Sequence, residues 1–301
     1  MTEPGAVRHA EHAMGTVFSF DIRGAPTRAV TRALADAVAW LHRVDEVFST
    51  YRAGSQISRL GRGELTEQQC DLEVAEVLEL CRAAARSSNG WFTATPGGRL
   101  DPSAAVKGWA VERASQLLYD AGARHHSVNG GGDIQTRGEA APGRPWQIGV
   151  AHPLCPGDLT TVVAGRDLAV ATSGTAERGP HILNPHTDRP ATDLASITLV
   201  GRHLTEVDTL ATAAFAMGNA SREWLRSLDG IEAFAVTAGA QAWWTPGFAA
   251  YGARLPSVRT GSRALSRRPN GQSGPDQLRQ QPTSIAPGPD QLRSEATERL
   301  K

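Results

Sequence analysis

Four stretches of this chain bring together residue types that can do chemistry. In LTEVDTLATAAFAMG (204–218), Asp208 and Thr212 stand four apart in an otherwise apolar run. On a helix this places a carboxylate and a hydroxyl on one face, one turn apart. Such a pair on a buried helix needs a partner. A hard cation taking oxygen ligands is one, and a hydrogen bond inside the fold is another. The second stretch is DPSAAVKGWAVE (101–112). Lys107 and Lys301 are the only lysines, and arginine fills the remaining basic positions. Asp101 followed by Pro102 reads as a helix start, with an N-cap and a proline in the first turn. The unpaired N–H groups of such a start favour phosphate. A lysine there adds a compact charge that arginine's planar fork does not replace. The competing reading is a solvated helix lysine.

The third stretch, HSVNGGGDI (126–134), runs a strand into three glycines and Asp133. Glycines allow close backbone approach to a ligand, and equally a plain tight turn. The pattern is not GxGxxG and no helix follows it, which argues against a dinucleotide-binding βαβ site. The fourth, VATSGTAERGPHILNPHTDRP (170–190), ends a strand at Gly174 and continues into a short hairpin with Arg178, His181 and His186. A histidine there is either structural or a proton acceptor.

These residues need elements to hold them. Val17 to Ile22 alternates and predicts a strand. Residues 27–48 carry a helical apolar stripe (Val30, Leu34, Ala37, Val38, Leu41, Val44, Phe48). A second helix is expected over 67–87 and a third from Pro102 to Gly122. Short β-like runs follow at 126–129, 146–150, 160–164, 168–172 and 197–200. Helices are expected at 205–217 and on to Leu228, and strands at 233–237 and 241–244. The mixture lacks regular βαβ alternation, so the fold class is α+β, mixed sheets with packed helices.

Composition sets outer limits. The chain has 301 residues, 40% hydrophobic and 21% charged, with zero net charge. No global field exists to hold nucleic acid or an anionic membrane. Cys70, Cys81 and Cys155 have no CxxC spacing, which argues against a disulfide framework and a cysteine zinc site and suggests small buried thiols. No window carries the run of about 20 apolar residues a membrane span needs, and the N-terminus has neither an apolar signal region nor a lipobox, so a cytoplasmic protein is expected. Residues 257–301 hold eight basic and four acidic residues, no aromatic, and GPDQLR twice. That composition predicts a disordered Pro/Arg/Gln-rich tail after a body spanning 1–256.

In this order the segments resemble the ApbE family of FAD:protein FMN transferases. The matching stretches are MGT (14–16), FSTYRAGSQISRL (48–60), LDPSAAVKGWAVERA (100–114), NGGGDI (129–134), WQIGVAHP (146–153), ATSGTAERGPHILNPHT (171–187) and VDTLATAAFAMG (207–218). The resemblance implies an ApbE-like fold, FAD bound as substrate, Mg²⁺ on its diphosphate, and transfer of FMN to a threonine or serine of an acceptor protein with loss of AMP. It further implies that Met14, Tyr51, Thr95, Pro96, Gly97, Asp101, Lys107 and Ile182 contact FAD. The Ala104 carbonyl, Asp208 and Thr212 would hold the metal, Lys107 would face the diphosphate, and His181 would activate the acceptor hydroxyl. The chain departs from the family pattern at FTATPGG (92–98), where FDPTVG is usual, and at Asn184 and Glu112, where aspartate is usual. A Mg²⁺-dependent FAD pyrophosphatase and a non-catalytic FAD-binding protein are the alternatives.

Overall fold

Alternation is plainest in Glu232–Thr237, where Ala233 and Ala235 point to one buried cluster and Phe234 and Val236 to another. A strand buried on both faces belongs inside a layered fold. The computed structural model describes residues 5–176 and 179–251, all within one compact unit, Met1–Val258. The expected tail (257–301) and Arg178 lie outside the described residues.

Strands β1 (Val7–Ala13) and β2 (Thr16–Ile22) form a hairpin, followed by α1 (Arg28–Phe48), α2 (Gln56–Gly61), α3 (Leu72–Ser87) and α4 (Ser103–Asp120). Then come β3 (His126–Gly130), β4 (Asp133–Arg137), β5 (Trp146–Ala151), β6 (Leu159–Gly165), β7 (Ala169–Gly174), β8 (Leu183–Asn184), β9 (Arg189–Pro190) and β10 (Leu194–Gly201). The series closes with α5 (Leu204–Met217), α6 (Ser221–Arg226), β11 (Glu232–Thr237) and β12 (Ala242–Trp244). Eight strands make one antiparallel sheet in the order β1-β2-β3-β4-β7-β10-β11-β12. One face carries the cluster shared with α1, α3, α4 and α5, and the other packs Ile148, Val150 and Val163 of the β5–β6 hairpin with Phe248. The α+β class read from the sequence is the observed one.

Local causes are visible in each element. Thr27 caps α1, its Oγ1 accepting from Val30 N at 3.2 Å. The buried stripe of α1 is Val30, Ala33, Ala37, Leu41, Val44, Val47 and Phe48. The α1–α4 seam is aromatic: Trp109 meets Trp40 edge-on at 4.9 Å and Phe48 at 5.6 Å between ring centroids. The β1–β2 turn is Met14-Gly15, both with positive φ (48° and 70°), as a two-residue hairpin of this twist requires. The helix expected over 67–87 is split: a 3-10 turn at Glu67–Gln69 precedes α3. Of the thiols expected to be buried, only Cys81 is, and burial pushes it up to about 12; Cys70 is half-buried and Cys155 exposed.

Two strands escaped the sequence pattern because their inward positions are polar. In β1, Glu11 instead accepts from His42 Nε2 of α1 at 2.9 Å. In β4, Gln135 and Thr136 are fully buried. Gln135 donates to the carbonyls of Leu168 (3.3 Å) and Arg202 (3.2 Å), and Thr136 Oγ1 donates to Leu168 O at 3.1 Å. Buried polar groups persist where each finds such partners.

His126, fully buried at the start of β3, gives the fold a pH dependence. Its Nδ1 donates to Ala123 O and its Nε2 pairs with Ser115 Oγ, both at 2.7 Å. Burial is the main cause that lowers its pKa from 6.5 to about 4. The unfolded chain therefore holds the proton more tightly between those values. Stability should be full above about pH 6.5 and decline toward pH 4, by on the order of 3 kcal/mol. Urea midpoints at pH 7 and pH 4.5 check this, and His126→Gln should flatten the slope.

Candidate functional site

The site is built where α4 and α5 cross. Glu112 of α4 reaches the first turn of α5: its Oε2 accepts from Thr205 N (2.9 Å) and Thr205 Oγ1 (2.7 Å), and its Oε1 lies 2.8 Å from His203 Nδ1. Gln135 Oε1 accepts from Leu204 N at 3.0 Å. These bonds satisfy N–H groups that a helix start leaves open, and they fix α5 in register with α4. Glu112, a departure from the family pattern, thus serves as the anchor of α5.

One turn closer to the start of α4 the helices nearly touch. Asp208 Oδ2 accepts from Gly108 N at 2.9 Å. A regular helix directs that same N–H at the Ala104 carbonyl, four residues back. The Asp208 carboxylate and the Ala104 turn therefore converge. A Cβ on residue 108 would stand 2.7 Å from Asp208 Cβ and 2.7 Å from Leu204 O. Gly108→Ala should destabilise by about 1–3 kcal/mol through overpacking, since the Leu204 carbonyl cannot rotate away. That outweighs the helix preference for alanine of about 1 kcal/mol. A lower thermal midpoint checks it; an unchanged or higher midpoint would show that the helices separate freely.

Lys107 projects from the same turn. Its Nζ pairs with Asp133 Oδ2 and lies 3.9 Å from Asp208 Oδ2. Asp133 is 1% exposed, and its Oδ1 accepts from Thr172 N of β7 at 3.0 Å. The lone body lysine is thus a junction between carboxylates of β4 and α5. Sequence reasoning passed over Asp133 as the end of a glycine turn; its partner is 26 positions away in the chain, beyond any local pattern. Thr212 follows Asp208 by one turn of α5 and is half-buried.

Asp101 sits just ahead. Helix α4 begins at Ser103, one residue later than expected, and Asp101 Oδ1 accepts from Ser103 N (3.0 Å) and from Ser103 Oγ. Its backbone N donates to Ala94 O at 2.7 Å, tying the helix start to the preceding loop. In that loop Thr95, Pro96 and Gly97 lead through a 3-10 turn (Pro96–Gly98), Gly97 at φ 60°. Arg99 Nη2 donates to Thr50 O at 3.2 Å, so the turn carrying Tyr51 lies alongside. The Tyr51 side chain is 99% exposed.

The β8–β9 hairpin forms another wall. Ile182 packs on the main core, its carbonyl accepting from Ala191 N at 2.9 Å. Asn184 Oδ1 accepts from His186 N at 2.9 Å, a turn-forming role that aspartate would fill equally. The His186 ring meets Trp91 edge-on at 4.5 Å. His181 is exposed, and its Nδ1 lies 3.0 Å from Gly179 O. A carbonyl only accepts, so Nδ1 carries the hydrogen and neutral His181 presents Nε2 as a proton acceptor.

The Asp101 loop leads directly into the first turns of α4, and the β8–β9 hairpin adjoins that loop, where a Cβ on Gly97 would stand 3.9 Å from Leu183 Cδ1. Among the described residues no group of three or more His, Cys, Asp or Glu is placed to hold a metal. The donors at the α4–α5 crossing are one carboxylate, one hydroxyl and a backbone carbonyl. That all-oxygen set suits a hard cation sharing its remaining positions with water and phosphate. A polar cavity of about 660 Å³ lies elsewhere, between α6 and the β11–β12 hairpin (Asp193, Asn219, Arg222, Thr237, Trp243), and includes none of these residues. Among the described residues no helix is long and apolar enough to cross a membrane.

The model of the ApbE family matches residues 14–98 and 94–235. Curated proteins named FAD:protein FMN transferase are similar: one from Haemophilus influenzae is 29% identical over 136 residues, and one from Treponema pallidum 33% over 159. The matches cover 42% and 46% of this chain, which spans 39% and 44% of the length of those relatives. Among solved structures, the Thermotoga maritima ApbE protein superposes with a TM-score of 0.72 at 22% identity, covering 82% of this chain and 99% of that one. The flavin transferase ApbE of Vibrio cholerae gives 0.72 at 20% identity with the same coverage. At those identities the likeness establishes the fold.

Proposed function

The chain belongs to the ApbE family, and from that premise we propose that it moves the FMN half of FAD onto a threonine or serine hydroxyl of an acceptor protein, releasing AMP. The observation that carries the reading is the meeting of Lys107, Asp133 and Asp208 at the first turns of α4. A cation beside carboxylates at a helix start is what a site for a metal-bound diphosphate needs.

The residues divide the work. Asp208, Thr212 and the Ala104 carbonyl would hold Mg²⁺, which when bound neutralises charge on the diphosphate. Lys107 adds a second positive charge against the phosphate that departs with AMP. Asp101 and the Thr95–Gly97 turn hold polar groups of FAD. Met14 and Ile182 supply apolar contact, and the exposed Tyr51 ring is available to stack on a ligand ring. The acceptor oxygen forms a bond to the FMN phosphorus as the bond from that phosphorus to the bridging oxygen breaks. The bridging oxygen leaves with AMP, and the hydroxyl proton passes to His181 Nε2. Little covalent chemistry falls to the protein; its task is placement and charge.

The test is incubation of the protein with FAD, Mg²⁺ and a candidate acceptor, followed by denaturing electrophoresis. A fluorescent acceptor band is expected. Free FMN and AMP without a band would make water the acceptor and the protein an FAD pyrophosphatase. Unchanged FAD with saturable binding would make it a binding protein.

A further inference from the structure

We infer that Asp133 is the positioning residue of this site: it holds the Lys107 ammonium in place beside Asp208, and it acts on transfer through Lys107 alone. The inference rests on the functional reading above, which assigns Asp133 no task of its own.

A lysine side chain has a long flexible stem, and an ammonium on it has no preferred direction of its own. Here the direction comes from a carboxylate that cannot move. Asp133 opens β4 immediately after the glycine turn, is 1% exposed, and is tied through Oδ1 to the backbone of β7 at Thr172 N, 3.0 Å away. That bond turns Oδ2 toward α4, where it meets Lys107 Nζ. With the ammonium held there, its distance to Asp208 Oδ2 is 3.9 Å. Three elements contribute one charged group each, and only the carboxylate of β4 is locked by the sheet itself. An arginine at 107 would bring a wide planar fork into a slot shaped for a compact ammonium, which accounts for the one lysine in a body otherwise served by arginine.

The chain offers an unusually direct assay, because its only lysines are Lys107 and Lys301. The full-length protein is acylated with an amine-reactive reagent at one pH, and peptide mass spectrometry reads Lys107 labelling with Lys301 as internal reference. Asp133→Asn keeps an oxygen for Thr172 N but gives up the charge. It should raise Lys107 labelling several-fold while a thermal melt shows the protein still folded. It should lower the transfer rate constant roughly tenfold, within the range for side chains in direct contact, with FAD affinity changed by less than about twofold. In a Lys107→Ala background the same substitution should add almost nothing. Where Asp133→Asn does not fold, Asp133→Glu takes its place: labelling should stay at the unsubstituted level, while displacement of the ammonium lowers transfer. Unchanged labelling in folded Asp133→Asn, or an equal loss with and without Lys107, would overturn the inference. Should the unsubstituted protein transfer no flavin to any acceptor, the functional reading fails instead. The labelling then decides by itself whether Asp133 holds Lys107.

Discussion

Asp208→Ala should reduce flavin transfer by about 10²–10³-fold, the scale for losing one preorganised charge-stabilising group. Raising Mg²⁺ should not restore it. The carboxylate is the one formal negative charge among the three proposed metal donors, and it also receives Gly108 N across the α4–α5 crossing. Removal therefore touches both the ion and the helix contact, and a second variant separates them. Asp208→Asn keeps an oxygen for Gly108 N and the side-chain volume, while losing the charge. If metal binding is the role, Asn should transfer nearly as poorly as Ala, yet melt closer to the unsubstituted protein. Single-turnover transfer against Mg²⁺ concentration, with melting curves alongside, makes the comparison. Full activity in either variant would place the metal elsewhere.

Much of the fold was legible because apolar spacing reports burial. Helix α1 has its buried positions at helical spacing, while α5, β10 and β11 are apolar runs buried nearly throughout. Strands β1 and β4 were invisible for the converse reason: Glu11, Gln135 and Thr136 face partners rather than core. The site divides along the same line. Lys107 could be singled out by counting lysines, and Asp208 with Thr212 by helical spacing. Asp133 and Glu112 could not, because each earns its role from a partner brought near only by folding: Lys107 for one, the first turn of α5 for the other. Asn184 shows that a departure from a family pattern has to be weighed against the bonds the residue makes. Its side-chain oxygen accepts from His186 N, a bond that needs an acceptor rather than a charge.

His181→Ala should leave FAD binding intact and slow transfer by about 10²–10⁴-fold, the usual worth of a positioned general base. The structural cost should be small. The side chain is exposed, and its hydrogen bond from Nδ1 runs to the carbonyl of Gly179, two residues away. That bond fixes the tautomer and leaves Nε2 as the acceptor of a proton. Since the ring stands on the hairpin beside Ile182 rather than at the α4–α5 crossing, the proposed reading assigns metal binding and proton removal to separate elements. His181→Ala and Asp208→Ala should therefore fail differently: the first in transfer alone, with saturable FAD binding preserved, the second in the response to Mg²⁺ as well. His181→Gln sharpens the point. It keeps a side-chain amide that can donate to Gly179 O, but offers no group basic enough to take the proton, so it should be as slow as alanine. Titration of FAD fluorescence, followed by the denaturing-gel assay on the same samples, reads both quantities. If transfer survives largely intact in both His181 variants, the base lies elsewhere, and Asp208 is the next carboxylate to be assigned it.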